Sequence, residues 1–274
     1  MVTKGTGFPV VVVPGINGRW EWFEPTVDAL TAGHRVVSFS LTEMRPNRER
    51  QGSFLAWMRA MDEMLDRAHE RKVSLIGVSF GGLIAACYAA RRPERVSALI
   101  LASTPAPGWT PRPADAFCVR YPRIGFPYFA ARSIPRLGPE IYRARDSWSK
   151  RTQFVAEYAR RAIRSPFSPV HAAQWIREWQ AFDITEDCGR ITAPTLVVTG
   201  EPELDKVVAV GGTMQYVRLI AGATHAVLPD TGHIGVITKP HRFAEIAGQF
   251  IYAAMSADRI AKPAPAEERA RHAS

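Results

Sequence analysis

The chain has 274 residues, with 35 Lys and Arg against 26 Asp and Glu for a formal charge of +9, and it is 46% hydrophobic and 22% charged. That length fits one large domain or one domain with an insertion, and that balance excludes wholesale disorder and a collagen-like composition. The apolar run Val10–Val13 stops at Pro14, far short of the ~20 residues a membrane span requires.

Residues 1–9 lack the basic cluster and apolar segment of a secretory signal. The three cysteines, Cys87, Cys118 and Cys188, lie far apart with no metal-ligand spacing. The expectation is a cytoplasmic chain without a structural metal and without stable membrane insertion.

In chain order, FPVVVVP at residues 8–14 reads as a strand buried on both faces. Pro25 opens a short helix to about Ala32, because proline is tolerated in a first helical turn. A second strand follows at Arg35–Leu41. Phe54, Trp57, Met58, Met61, Met64, Leu65 and Ala68 then share one face of a helix. Val73–Gly77 is a third strand, Leu83–Arg92 a helix stopped by Pro93, and Val96–Ala102 a fourth strand.

From Pro105 to Arg190 the strand signal vanishes and the texture is helical, interrupted by prolines. Strands resume at Thr195–Thr199 and Ala223–Leu228, and a helix closes the pattern over Pro240–Met255. Alternating strand and helix imply an α/β fold with a mostly parallel sheet and helices on both faces. The expected organisation is a core of residues 1–104 and 191–255, a helical cap at 105–190, and a mobile tail at 256–274 with too few apolar residues to offset its ordering entropy.

The chemistry starts at Gly77-Val78-Ser79-Phe80-Gly81-Gly82, a G-x-S-x-G string between a strand and a helix. Alone the string is weak, and a glycine-rich turn packing a helix on a strand is the plainer alternative. Its context points to a sharp turn that lifts the Ser79 hydroxyl from the sheet edge and leaves the Phe80 N–H at a helix N-terminus, aimed where an oxyanion would form.

With the strand-turn VVVVPGINGRWEWFEPTVDAL, the phrase RRPERVSALILAST and the closing GHIGVITKPHRFAEIAGQFI, the chain resembles the α/β-hydrolase superfamily over roughly residues 9–253. The resemblance implies an α/β-hydrolase fold with an inserted cap and a triad in the order Ser, Asp, His. It assigns the base to His233 in Thr231-Gly232-His233, ahead of His225, which falls inside a strand pattern. For the acid it offers Glu201, Glu203 and Asp205, of which Asp205, before Lys206-Val207-Val208, matches best; Asp187 and Asp230 read as loop or turn residues. It maps a second oxyanion donor onto the backbone N–H of Ile16, where Pro14-Gly15 replaces the usual His-Gly. The segment SFSLTEMR at 38–45 departs from the relatives' second-strand phrase, and the sheet is expected to lack the hairpin that begins larger members.

The expected function is a serine hydrolase that cleaves a carboxylic ester or similar small acyl compound through an acyl-enzyme, without a nucleotide or metal cofactor. Carbon–carbon bond hydrolysis and cofactor-free perhydrolysis use the same triad and stay open, as does a non-catalytic ligand-binding member of the fold. Serine at position 79 disfavours chemistries that need a carboxylate nucleophile. Between Trp109 and Phe182 lie 14 of the 27 aromatics, with 13 Lys and Arg against 5 Asp and Glu, a local +8. This fits an apolar pocket under a basic rim suited to anionic substrates or lipid surfaces, or equally helices with their own aromatic core and solvated arginines. No motif for binding nucleic acid accompanies the charge.

Overall fold

The computed structural model of the chain describes residues 1–44 and 54–261. Seven strands form one sheet: β1 (Val2–Lys4), β2 (Phe8–Val13), β3 (His34–Ser38), β4 (Val73–Val78), β5 (Val96–Ala102), β6 (Thr195–Thr199) and β7 (Thr224–Val227), in the order β1-β3-β2-β4-β5-β6-β7. Strands β2 to β7 are parallel, whereas β1 pairs antiparallel with β3, Val2 opposite Ser38. The sheet therefore begins one strand earlier than the sequence suggests. Three residues are too few to display a period-two pattern, so β1 leaves no signal of its own.

The unbroken valine run works because the sheet is covered on both sides. Val11 and Val13 face a cluster with Trp57, Met61 and Leu83, while Val10 and Val12 face Val27, Phe243 and Ile251. Successive side chains on a strand point to opposite faces, so a strand buried on both has no polar face to show. Helices Ala56–Arg67 and Phe80–Arg91 cover the first face; Glu24–Leu30 and Pro240–Ala261 cover the second.

Some boundaries move, β3 ending at Ser38 and not at Leu41. The helix after β4 starts at Phe80, directly after Ser79, and not at Leu83. Gly81 and Gly82 carry a helix penalty, but close packing makes them the residues that fit: a Cβ on Gly81 would collide with the carbonyls of Val13 and Pro14, and one on Gly82 with the Thr104 side chain. The last helix runs to Ala261, past Met255, where the sequence pattern closes it. Of the tail expected at 256–274, residues 262–274 lie outside the described residues.

The chain between β5 and β6 folds as helices at Pro113–Arg120, Pro122–Ala144, Trp148–Arg164, Pro169–Gln180 and Thr185–Cys188. The sequence reads its prolines as interruptions, yet Pro127, Pro135 and Pro139 all lie inside Pro122–Ala144. Each removes one backbone donor from the ladder, and packing on neighbouring helices holds the element together. The Trp22 indole N–H donates to the Ser165 carbonyl at 2.9 Å, fastening these helices to the chain after β2.

Candidate active site

Ser79 caps β4 with φ 53° and ψ −124°, a left-handed conformation that a residue with a Cβ adopts only when its surroundings enforce it. They do so here through backbone. The Ser79 N–H donates to the Ala102 carbonyl at 2.8 Å, and its carbonyl accepts from the Gly82 N–H at 2.8 Å. A Cβ on Gly77 would lie 2.5 Å from the Gly82 Cα. The glycines two residues before and after the serine are thus required by close approach of chain to chain.

His233 follows β7 on the loop into the short helix Gly235–Thr238. Its Nε2 is 3.1 Å from the Ser79 Oγ, and its Nδ1 is 3.5 Å from the Asp205 Oδ2. The second separation exceeds an ordinary hydrogen bond, and Nδ1 has no hydrogen-bond partner. Asp205 therefore acts on the ring mainly through its charge. The other carboxylate oxygen, Oδ1, accepts the N–H groups of Val207 at 3.0 Å and Val208 at 2.8 Å, which orient the side chain.

Burial of the imidazole favours its neutral form, but the charge of Asp205 beside the ring and the charge of Glu140 outweigh it, leaving the His233 pKa above its ordinary value. The ring is thus tuned toward a stronger base.

Phe80 is the first residue of its helix, so its N–H has no intrahelical acceptor. Ile16 follows Gly15, where a Cβ would come within 3.3 Å of the Ser79 Cβ. Ile16, Ser79, Phe80 and His233 all line one cavity of about 150 Å³. The segment between β5 and β6 supplies its apolar walls: Phe126, Phe129 and Ile176 from helices, Trp109 and Phe167 from the connecting chain. The Arg136 guanidinium, also in the wall, is 3.0 Å from the Asp115 carboxylate. Pairing leaves the lining apolar and nearly neutral.

The rival residues are engaged elsewhere. On β7, the His225 Nε2 is 2.9 Å from the Oγ1 of Thr199 on β6, and burial lowers its pKa. Glu201 accepts the Asp230 N–H at 2.8 Å, and Glu203 is exposed. Asp187 pairs with Arg91 and Arg190, and Asp230 with Arg143 and Lys239. Ser79, Asp205 and His233 are the set brought together.

A family model for the alpha/beta hydrolase fold matches residues 9–240. The chain belongs to that family. It is an enzyme fold populated by hydrolases, and this hydrolase is 28% identical over 248 residues to a protein of Variovorax paradoxus named as a candidate carbamate hydrolase, RutD, covering 85% of this chain and 87% of the relative. It is 25% identical over 260 residues to a poly(3-hydroxyalkanoate) depolymerase of Ectopseudomonas oleovorans, covering 89% and 84%. The solved enol-lactonase of Burkholderia xenovorans superposes with a TM-score of 0.74 at 19% identity, over 92% of this chain and 95% of that one; at that identity the likeness concerns the fold.

Sequence reasoning misses one residue of this hydrolase's site. Glu140, on the helix Pro122–Ala144, is fully buried. Its Oε2 accepts the Ile234 N–H at 3.0 Å and its Oε1 accepts the Thr238 hydroxyl at 3.2 Å, so it grips the residue next to His233. Burial pushes its pKa up, against backbone N–H donors at Ile234 and Gly232 and the His233 ring, which favour the anion. The sole sequence signal is an acid at 140 between Leu137 and Ile141, an apolar stretch of a basic segment.

Proposed function

We propose that the chain is a serine hydrolase acting on a carboxylic ester with an apolar acyl group, with Ser79 as nucleophile, His233 as base and Asp205 as the acid. The observation that carries this reading is the 3.1 Å approach of the His233 Nε2 to a strained Ser79 hydroxyl on the floor of the apolar cavity. Residues 105–190 would act as a cap that shapes that cavity over a core of 1–104 and 191–255.

In the proposed reaction the Ser79 Oγ attacks the ester carbonyl carbon while its proton passes to His233 Nε2. The resulting oxyanion accepts the N–H groups of Phe80 and Ile16, each worth roughly 3 kcal/mol by analogy with measured donors. Collapse breaks the carbon–oxygen bond, and the imidazolium returns its proton to the leaving alkoxide, giving free alcohol and acyl-Ser79. Water, deprotonated by the same ring, then attacks the acyl group; the released serine oxygen regains a proton and the acid departs. Asp205 stabilises the imidazolium in both halves.

The pairing of Arg136 with Asp115 favours an apolar acyl group over an anionic one in the cavity, since an unpaired cation would be needed to hold an anion there. A p-nitrophenyl ester series of increasing acyl length, run beside Ser79→Ala, tests the reading. Turnover that rises with chain length and vanishes in the variant supports it; turnover surviving in Ser79→Ala contradicts it.

A further inference from the structure

Among the described residues, nine of the thirteen exposed large hydrophobic side chains lie between residues 117 and 163, so exposed apolar surface is concentrated on the cap. Helix Trp148–Arg164 shows why. Its inner face sends Phe154, Tyr158 and Ala162 against the core, a sufficient apolar stripe by itself. It carries a second stripe outward: Trp148, Val155, Ala159 and Ile163, at i, i+7, i+11 and i+15, are all exposed, with Trp148 at 73% and Ile163 at 81%. A helix serving only its own fold has no use for that second stripe.

The stripe continues into a groove. Ile134, Leu137, Ile141 and Tyr142 from helix Pro122–Ala144 meet Trp148 and Val155 along it. Cations flank it: Lys150, Arg160 and Arg164 are exposed, and the Arg151 guanidinium stacks 3.7 Å from the centre of the Tyr142 ring. Helix Pro122–Ala144 thus turns Phe126 and Phe129 to the catalytic cavity and Ile134 and Ile141 to the groove, which puts the exposed apolar surface on the outer side of the cavity wall.

We propose that the cap docks peripherally on an anionic phospholipid surface through this stripe and groove. Charge decides the occupant. The helix that carries the stripe, Trp148–Arg164, has five Lys and Arg against one Glu, so a second copy packed by a two-fold axis would set one basic face against another. An anionic bilayer neutralises those cations while Trp148, Val155 and Ile163 enter the headgroup boundary. No helix among the described residues is long and apolar enough to cross a membrane, so the attachment is superficial. The inference does not depend on the reaction at Ser79.

Co-sedimentation of the purified full chain with phosphatidylglycerol-containing and with pure phosphatidylcholine vesicles tests it. The protein pellets with the anionic vesicles, and added salt releases it. Trp148→Ser with Ile163→Ser, and separately Arg160→Gln with Arg164→Gln, each weaken partitioning roughly tenfold. All four positions are exposed, and an unchanged thermal melt verifies folding. Equal binding to both vesicle types, or unaltered binding in both variants, overturns the proposal. So does a dimer in solution that Trp148→Ser with Ile163→Ser dissociates while the wild-type chain ignores vesicles.

Discussion

The two halves of the candidate site are held in different ways. On the serine side the constraints are backbone contacts with near neighbours: Ser79 bonds to Ala102 and Gly82, and Gly77 and Gly81 are pressed against other main chain. On the histidine side the constraints are side chains from remote parts of the chain. Asp205 approaches His233 from the loop after β6, and Glu140 reaches the same loop from a helix between β5 and β6. A bend set by backbone packing is rigid and tolerates little change at its glycines. A loop held by carboxylates is tunable, because their charge also sets the basicity of the ring.

The largest effects are expected where the halves meet. Ser79→Ala and His233→Ala should each lower ester turnover by ~10⁴-fold or more, since the two act as one unit. Steady-state kinetics on a p-nitrophenyl ester reads this directly, and substantial turnover in either variant would break the pairing. Asp205→Ala should cost somewhat less, ~10³–10⁴-fold in kcat, because the serine and base keep their contact while the imidazolium loses its counter-charge. Equal loss in Glu203→Ala would move the acid to the neighbouring residue.

Glu140 acts on the histidine side alone. Its charge helps raise the His233 pKa, and the base works only when neutral, so activity in the wild-type enzyme should fall on the acid side at a pH above the ordinary histidine value of about 6.5. Glu140→Gln keeps an acceptor for the Ile234 N–H but removes that charge, and the acid limb of kcat/KM should move to lower pH. An unmoved limb would mean that Glu140 supports the loop without influencing the ring. Glu140→Leu leaves the Ile234 N–H unpaired and should destabilise the fold by about 1–3 kcal/mol, read by denaturant unfolding. The smallest effect belongs to His225→Ala, which should leave turnover within about twofold, its ring being engaged with Thr199 on the neighbouring strand β6.

The same contrast explains what the letters reveal. The serine side is legible because its constraint is local: five residues, Gly77 to Gly81, between a strand and a helix announce the bend. The parallel core is legible for a similar reason, since runs such as Val10–Val13 and Val96–Ala102 have the length and composition of strands buried on both faces. The partners of His233 are less so. Asp205 emerges by resemblance among three neighbouring acids, and Glu140 not at all, because no periodicity says that one carboxylate on a helix broken by prolines in sequence, yet continuous in space, will be buried against Ile234 and Thr238. Composition likewise counts the aromatics of 109–182 without sorting them. Phe126, Phe129 and Phe167 line the cavity, Trp175 and Trp179 are buried in the core, and Trp148 and Tyr142 face outward.

Activation of a Ser79 nucleophile by His233 is read out most directly by fluorophosphonate labelling followed by peptide mass mapping. A single adduct on Ser79 is expected in the wild-type chain, and little or none in His233→Ala. No adduct on the wild-type protein, or one that forms at another residue, would contradict it.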